Sequence, residues 1–188
     1  MTESRFPNFN LKYEGRLIAI AEFQPEGAEY AYELAVRPPG VRVIALTEDK
    51  SQVWLTDEFR HEKGARDIRL PGGKVIDELG TYANDVANGV EVSEELVFDA
   101  ARWESKEELG LDLTDPELVA MSPCGATVLW DLYYVVGTVA DSGNSQELED
   151  GEDIKPQLVS VEEAAELART TMSEGRSAIQ LLRVLDNL

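Results

Sequence analysis

The residues of this sequence that could do chemistry are mainly carboxylates, and three of them lie in one short segment. Glu104, Glu107 and Glu108 stand three and four positions apart. In a helix, where each residue turns the chain by about 100°, they fall on one stripe. Carboxylates so close repel one another unless a cation lies among them, and their hard oxygens suit Mg²⁺ or Mn²⁺. The stripe predicts a divalent-cation site, and a solvated helix face is the alternative.

A tight turn upstream offers a second element for such a site. Residues 70–74 read Leu-Pro-Gly-Gly-Lys, in which a rigid proline precedes two residues without side chains. Backbone carbonyl and N–H groups can approach a ligand closely there. An ordinary loop turn is the alternative, because Pro-Gly-Gly is common turn material.

Composition narrows the classes of function. The chain has 188 residues, 43% of them hydrophobic and 29% charged, which suits one domain with a sizeable core. Its 37 acidic residues against 17 basic ones give a net charge of −20, which disfavours binding to nucleic acid and to anionic membranes. A single cysteine, Cys124, and a single histidine, His61, exclude an internal disulfide and zinc sites rich in either residue.

The sequence contains no signal-type apolar segment and no apolar run of membrane-spanning length. We therefore expect a soluble, cytoplasmic protein. The excess of acidic residues fits either a high-salt habitat or a general means of keeping the protein soluble.

The elements that must position the carboxylates follow from hydrophobic patterning. β-branched and aromatic runs between turn residues predict strands. The predicted strands are 16–23, 29–36, 41–46, 52–56, 67–70, 118–121, 128–139 and 157–160. A helix is predicted from Ser93, which can cap it, to Leu109, with Gly110 as its stop. Two further helices are predicted over 161–169 and 173–185, and together these elements predict a mixed α/β sandwich.

The acidic segment and the glycine turn together resemble the Nudix box, the signature of the Nudix hydrolases, written G-x5-E-x7-R-E-U-x-E-E-x-G-U with U apolar. The matching positions are Gly73, Glu95, Glu104, Glu107, Glu108, Gly110 and Leu111. In this family the carbonyl of the opening glycine usually helps to hold a metal. The resemblance therefore implies a metal site formed by Gly73 and the three clustered glutamates.

The match departs from the family pattern at three points. Trp103 stands in place of the arginine that normally pairs with a box glutamate, and Ser105 stands in place of an apolar residue. Arg102 is adjacent but points about 100° away on the helix. About 16 extra residues separate Gly73 from the isolated acid, and this insertion, residues 79–93, reads as a surface loop.

Beyond the box, the chain is most similar to the ADP-ribose pyrophosphatase branch of the family. The similar segments are 32–41, Phe59-Arg60, 122–125 and 151–154. The resemblance implies that Glu33 contacts the nucleobase and that Arg60 contacts the diphosphate or the terminal ribose. Three aromatic residues are candidates for stacking on a base, with core packing as the alternative. They are Tyr30, Trp54 and Trp130.

The same resemblance implies a domain organisation and an assembly. Residues 1–40 would form an N-terminal antiparallel β extension for dimerisation and substrate binding, and residues 41–188 an α/β/α Nudix catalytic domain. The implied assembly is a homodimer in which the extension contributes to the neighbour's site.

The activity implied is Mg²⁺- or Mn²⁺-dependent hydrolysis of a nucleoside diphosphate sugar, with ADP-ribose favoured, to a nucleoside monophosphate and a sugar phosphate. Glu108 would be a catalytic metal ligand, and the general base would come from the acidic loop. Glu149, Asp150 and Glu152 remain open for that role, with Glu152 preferred because Gly151 gives the loop freedom to swing inward. Two alternatives stand: a nucleotide sensor without turnover, favoured by Trp103, and a Nudix hydrolase of other nucleotides.

Overall fold

The computed structural model describes residues 6–141 and 145–188, which form ten strands, four α-helices and one π-helical turn. The strands are β1 (Asn10–Glu14), β2 (Ala19–Phe23), β3 (Tyr32–Val36), β4 (Gly40–Leu46), β5 (Gln52–Arg60), β6 (Ala65–Arg69), β7 (Leu111–Ser122), β8 (Val128–Leu129), β9 (Leu132–Asp141) and β10 (Ile154–Ser160). The helices are α1 (Leu79–Asn88), α2 (Glu94–Glu104), α3 (Val161–Thr170) and α4 (Gly175–Leu185), and the π-helical turn Ser105–Leu109 continues α2. Among the described helices, none has the length and apolar character needed to cross a membrane.

Two sheets organise the chain. The larger has the order β10-β5-β4-β9-β7, in which β4 and β9 run parallel and the other neighbours antiparallel, while β6 pairs with the second half of β5. The smaller has the order β1-β2-β3-β8, with β8 parallel to β3. The predicted N-terminal extension therefore shares its sheet with residues 128–129.

Helices cover both faces of the larger sheet, which confirms the predicted α/β/α sandwich. Successive side chains of a strand point to opposite faces. On one face Ile44 of β4 belongs to the same buried cluster as Leu181 of α4. On the other face Val43 belongs to a cluster with Val97 of α2. Because both faces of β4 are buried, the strand is apolar throughout except at Arg42.

The predicted acidic helix is confirmed, including both of its end signals. The Ser93 side chain accepts a hydrogen bond of 3.3 Å from the Leu96 N–H, as a helix-capping serine does. Gly110 ends the helix in the left-handed region, with φ of 71°, which suits a residue without Cβ. The last five residues widen into a π-helical turn, a form that is frequent at functional sites.

The prediction of a surface loop over residues 79–93 was wrong, because α1 occupies most of that segment. Leu79, Tyr82 and Ala83 are buried, and Leu79 and Tyr82 lie in one cluster with the smaller sheet. Their spacing places them on one side of a helix. Gly89 ends this helix in the left-handed region, with φ of 68°. The insertion is therefore a structural element that packs on the smaller sheet.

Other boundaries differ where one run of residues serves two sheets. The predicted strand 128–139 is interrupted at Trp130 and Asp131, because β8 pairs with β3 in the smaller sheet and β9 with β4 in the larger one. β1 was not predicted, and all five of its residues are exposed, so no buried face marks it.

The predicted polar loop 141–153 includes residues 142–144, which lie outside the described residues.

Candidate active site

A cavity of about 1060 Å³ brings together most of the residues that the sequence marks as functional. Its walls come from the turn between β1 and β2, the connection from β3 to β4, the glycine turn after β6, α2 with its π-helical turn, and the loop before β10. The predicted site residues that line it are Gly73, Glu104, Glu107, Glu108, Glu152 and Arg60. Glu33 is exposed on β3 and does not line this cavity. Glu95 is exposed in the first turn of α2 and does not line it either.

The acidic helix and the glycine turn converge within this cavity. The Gly72 N–H donates a hydrogen bond of 3.1 Å to Glu108 Oε2. A Cβ atom added to Gly73 would lie 2.1 Å from Glu104 Oε1, so only a residue without a side chain allows that carboxylate to rest there. Gly72 itself has φ of 147°, and a Cβ atom there would lie 2.1 Å from the Val41 carbonyl oxygen.

The clustered carboxylates hold their protons more tightly than exposed ones do. Burial, reinforced by the negative charge of Glu107, raises the pKa of Glu104 from 4.5 to about 7. Burial and the nearby Glu104 raise the pKa of Glu108 well above its ordinary value. Burial also raises the pKa of Glu107. A divalent cation among these groups would replace the protons and favour the ionised carboxylates.

The donor atoms at this site fit a hard divalent cation. In the described part of the chain, no three His, Cys, Asp or Glu side chains stand together as a complete ligand group. The half-buried Glu104 and the buried Glu108 lie against a turn without side chains and present only oxygen atoms. The Gly73 carbonyl accepts one hydrogen bond, of 3.0 Å from the Val41 N–H, and keeps a second lone pair for a metal.

Trp103, which stands where the family has arginine, lies beside one of the box acids. Its side chain interacts with the Glu107 carboxylate and lowers the pKa of that group against the effect of burial. The neighbouring Arg102 instead pairs with Asp99 at 3.0 Å, away from the box acids. Ser105, in the apolar position of the box, is fully buried and donates a hydrogen bond of 3.0 Å to the Leu111 carbonyl.

Arg42 is a site residue that the sequence analysis missed. It is buried, and its Nη1 donates to the carbonyl oxygens of Val41 and Gly72 at 3.0 and 2.9 Å. Its Nε forms an ion pair of 3.1 Å with Glu174, and its charge also lowers the pKa of Glu104 and of Glu108. Arg42 therefore fixes the glycine turn. The one signal in the sequence is a charged residue inside an otherwise apolar strand.

The acidic loop is fastened to the end of the helix that carries the carboxylates. The Glu147 N–H donates to the Glu107 carbonyl at 3.0 Å, and Gln146 Nε2 donates to the Glu108 carbonyl at 2.5 Å. The last carbonyl groups of a helix have no hydrogen-bond donor within the helix, and here the loop provides the donors. Two acids of this loop, Glu149 and Glu152, line the cavity. Asp150, the third candidate base, does not line it.

Two arginine side chains that line the cavity differ in whether they form ion pairs with carboxylates. Arg60, the predicted diphosphate contact, binds Glu58 at 2.6 Å and Glu62 at 2.8 Å. Arg37, which was not predicted as a site residue, has no carboxylate partner among the described residues. Its guanidinium lies 4.3 Å from the ring centre of Trp130, one of the aromatic candidates. Of the other two aromatic candidates, Trp54 packs in the core and Tyr30 is exposed, and neither lines the cavity.

An α/β/α sandwich that sets an acidic helix against a glycine turn is the arrangement that the Nudix resemblance implies. The chain matches the NUDIX domain model over residues 36–182, and it therefore belongs to that family. A crystal structure of an ADP compounds hydrolase has a similar fold, with a TM-score of 0.66, 97% of this chain and 95% of that chain covered, and 19% sequence identity. The comparison with curated proteins found no match.

Proposed function

We propose that this protein hydrolyses the diphosphate bond of a nucleoside diphosphate sugar, with ADP-ribose as the favoured substrate and Mg²⁺ or Mn²⁺ as the cofactor. The observation that carries the proposal is the contact of Glu104 and Glu108 with the Gly72–Gly73 turn, because it gathers oxygen ligands in a cavity large enough for a nucleotide. Membership of the NUDIX family and the name of the structural neighbour, an ADP compounds hydrolase, agree with it.

In the proposed mechanism the protein supplies positioning and charge rather than covalent chemistry. The residues that would hold the cation are Gly73, through its carbonyl, and Glu104, Glu107 and Glu108. A divalent cation held there would supply charge neutralisation of the diphosphate and a lower pKa for a water molecule. Water attacks one phosphorus atom, the bond from that atom to the bridging oxygen breaks, and the products are a nucleoside monophosphate and a sugar phosphate.

The proton released by the attacking water needs a base within the cavity. We assign that role to Glu152, with Glu149 as the alternative, because both line the cavity on the anchored loop. Glu152 Oε2 accepts a hydrogen bond of 3.0 Å from the Glu149 N–H, which holds the two residues in one turn. Arg60 would contact the diphosphate in exchange for one of its carboxylate partners.

The experiment is a substrate panel of ADP-ribose, other nucleotide sugars and nucleoside triphosphates, each with Mg²⁺ or Mn²⁺ and with the phosphate products resolved. We expect ADP-ribose to yield AMP and ribose phosphate, and Glu108→Gln to abolish this turnover while the protein stays folded. Saturable binding without turnover of any compound would instead identify a nucleotide sensor. Trp103 in the arginine position is the observation that favours this second function.

We also propose a homodimer in which Glu33 of each protomer serves the neighbour's cavity, and in which residues 1–40 act as a dimerisation extension to a catalytic domain of residues 41–188. Supporting this, Glu33 is exposed outside its own cavity, Tyr30 and Tyr32 are exposed near it in sequence, and Tyr13 is exposed on β1 of the same sheet. Light scattering measures the molecular mass in solution, which should be that of a dimer. Mixing Glu33→Gln protein with Glu108→Gln protein should restore part of the activity, because a mixed dimer has one site without either substitution.

A further inference from the structure

Arg37 is held at the cavity wall with its charge unused. Its backbone N–H donates to the Leu129 carbonyl at 3.0 Å, and two prolines, Pro38 and Pro39, follow it and restrict the backbone. The guanidinium packs 4.3 Å from the ring centre of Trp130. Among the described residues, no carboxylate or carbonyl accepts a hydrogen bond from it. The other arginines near it are already paired: Arg42 with Glu174, and Arg60 with Glu58 and Glu62.

Trp130 contributes a second donor without a partner. Its indole Nε1–H has no acceptor in the described part of the chain, although Trp130 lines the cavity. Arg176 also packs over this ring, at 4.5 Å, but it donates to the carbonyls of Ser122 and Trp130 itself and does not line the cavity. The ring is therefore fixed by two arginines, one of which is free to bind a ligand.

The indole N–H of Trp130 lies near the glycine turn, in the cavity that Arg37 also lines. A Cβ atom placed on Gly40 would be 3.0 Å from the Gly73 carbonyl oxygen and 3.8 Å from Trp130 Nε1, so those two atoms are at most about 7 Å apart. A second phosphate, joined to the first by one bridging oxygen, spans such a distance. Gly40 has no side chain to fill the space between them.

We propose that Arg37 and Trp130 Nε1–H form an anion subsite, which binds the substrate phosphate next to the one held at the Gly72–Gly73 turn. A planar guanidinium stacked on an aromatic ring presents its N–H groups in a fixed direction, and such a fork matches phosphate oxygens. This inference rests on the proposed function, because it adds a requirement for two linked phosphates to the same site. It also makes Arg37 the residue that distinguishes a diphosphate from a monophosphate.

The test measures binding rather than turnover, by calorimetry in the presence of Mg²⁺. The probes are α,β-methylene-ADP, whose bridge cannot be hydrolysed, and AMP, which has one phosphate. For Arg37→Gln we expect the affinity for α,β-methylene-ADP to fall at least about tenfold and the affinity for AMP to change less than about threefold. Trp130→Phe keeps the ring and removes the N–H, so it should weaken only the diphosphate probe, by a few-fold. Arg37→Lys should recover part of the affinity.

Arg183→Gln is the control for the loss of one positive charge, because Arg183 does not line this cavity and its guanidinium instead donates to Gln180 Oε1 at 3.3 Å. It should bind both probes as the unsubstituted protein does. Equal affinity of Arg37→Gln and the unsubstituted protein for α,β-methylene-ADP would overturn the subsite, and so would failure of the unsubstituted protein to bind this probe. An equal loss in Arg183→Gln would overturn it too, since charge alone would then explain the effect.

The outcome separates this inference from the proposed function. Arg37-dependent binding of α,β-methylene-ADP without hydrolysis of any nucleotide sugar would leave the subsite in place and remove the proposed activity. Hydrolysis of ADP-ribose with equal KM in Arg37→Gln and the unsubstituted protein would support the proposed activity and overturn the subsite. Thermal melting of every variant verifies that it is folded.

Discussion

Gly73 and Glu104 fit each other so closely that a Cβ atom on Gly73 would lie 2.1 Å from Glu104 Oε1 and 2.7 Å from Cδ. The glycine comes from the turn after β6 and the glutamate from the end of α2, so this contact joins the two halves of the site. It is matched one turn further along the helix by the Gly72 N–H, which donates to Glu108. The site therefore depends on the absence of side chains in the turn as much as on the presence of carboxylates in the helix.

Gly73→Ala should impair metal binding by displacing the Glu104 carboxylate. The added methyl group would lie 2.1 Å from Glu104 Oε1, so either the side chain or the turn must shift. We expect the half-saturating Mg²⁺ concentration to rise about tenfold and kcat to fall about as much. Gly175→Ala is the control, because nothing lies within 4 Å of a Cβ atom there and its backbone is not left-handed. Equal Mg²⁺ titrations for the two variants would contradict the assigned role of the turn.

Glu108→Gln should separate stability from turnover. The amide oxygen can still accept the hydrogen bond from the Gly72 N–H, but the ionised group for a cation is gone. We expect a loss of at least about a hundredfold in kcat. The melting temperature of the metal-free protein should be equal or higher, because glutamine removes a buried group whose ionised form is unfavourable in the folded state. Glu95→Gln, on the exposed first turn of the same helix, should change neither quantity. A fall in melting temperature as large as the fall in activity would show that Glu108 is structural.

The parts of the site that could be predicted from the sequence are those with local signals. Ser93 and Gly110 mark the ends of the acidic helix through their own backbone chemistry, and both predictions are confirmed. The three- and four-residue spacing of the glutamates fixes their shared face once the segment is helical. That the turn meets this face was implied by the family resemblance, and the contact between Gly73 and Glu104 agrees with it.

The parts that could not be predicted depend on contacts between residues far apart in the sequence. Arg42 fixes the turn together with Glu174, which lies 132 residues later, and no local pattern connects the two. Gln146 anchors the loop on a carbonyl, an acceptor that every residue has, so its partner Glu108 has no signature. The helix α1 did have a signal, the spacing of Leu79 and Tyr82, but its many polar residues favoured the interpretation as a loop.

The metal-free protein should lose stability as the pH rises towards neutrality. The folded state holds the Glu104 proton with a pKa of about 7 against 4.5 for the unfolded chain, so this contribution is full below pH 4.5 and lost as the pH rises through about 7. The loss attributable to Glu104 is about 3 kcal/mol, and the raised pKa of Glu108 acts in the same direction. Urea denaturation at pH 5 and pH 7.5 with a chelator should detect about 2 kcal/mol of this loss, because part of it falls below pH 5.

The same titration has a built-in control. Glu104→Gln cannot ionise, so its free energy of unfolding should fall less between the two pH values than that of the unsubstituted protein. Saturating Mg²⁺ should reverse the fall in the unsubstituted protein, because the cation stabilises the ionised carboxylates. Parallel pH profiles for the two proteins in the metal-free state would contradict the raised pKa of Glu104.

Trp103→Phe should weaken metal binding without altering the fold. Phenylalanine keeps an aromatic ring but lacks the indole N–H whose interaction with Glu107 lowers the pKa of that carboxylate, so the pKa of Glu107 should rise further. We expect the half-saturating Mg²⁺ concentration to rise about threefold, because Glu107 is only partly buried. Trp103→Arg should retain or increase activity, since a guanidinium can bind the same carboxylate. A severe loss in Trp103→Arg would show that the indole has a role of its own, such as contact with the substrate.

Gln146→Ala should lower kcat while leaving the half-saturating Mg²⁺ concentration nearly unchanged. Gln146 Nε2 joins the carbonyl oxygens of Glu108, at 2.5 Å, and Ile154, at 3.3 Å, so it fastens the acidic loop between the helix and β10. Without it, the proposed base Glu152 loses its fixed distance from the cation ligands, and we expect about a tenfold loss in kcat. Gln146→Glu should be worse, because a carboxylate would face two carbonyl oxygens. Gln180→Ala serves as the control for loss of an amide far from the loop. If Gln146→Ala changes the half-saturating Mg²⁺ concentration as much as kcat, the loop acts on the metal ligands themselves and not on the base.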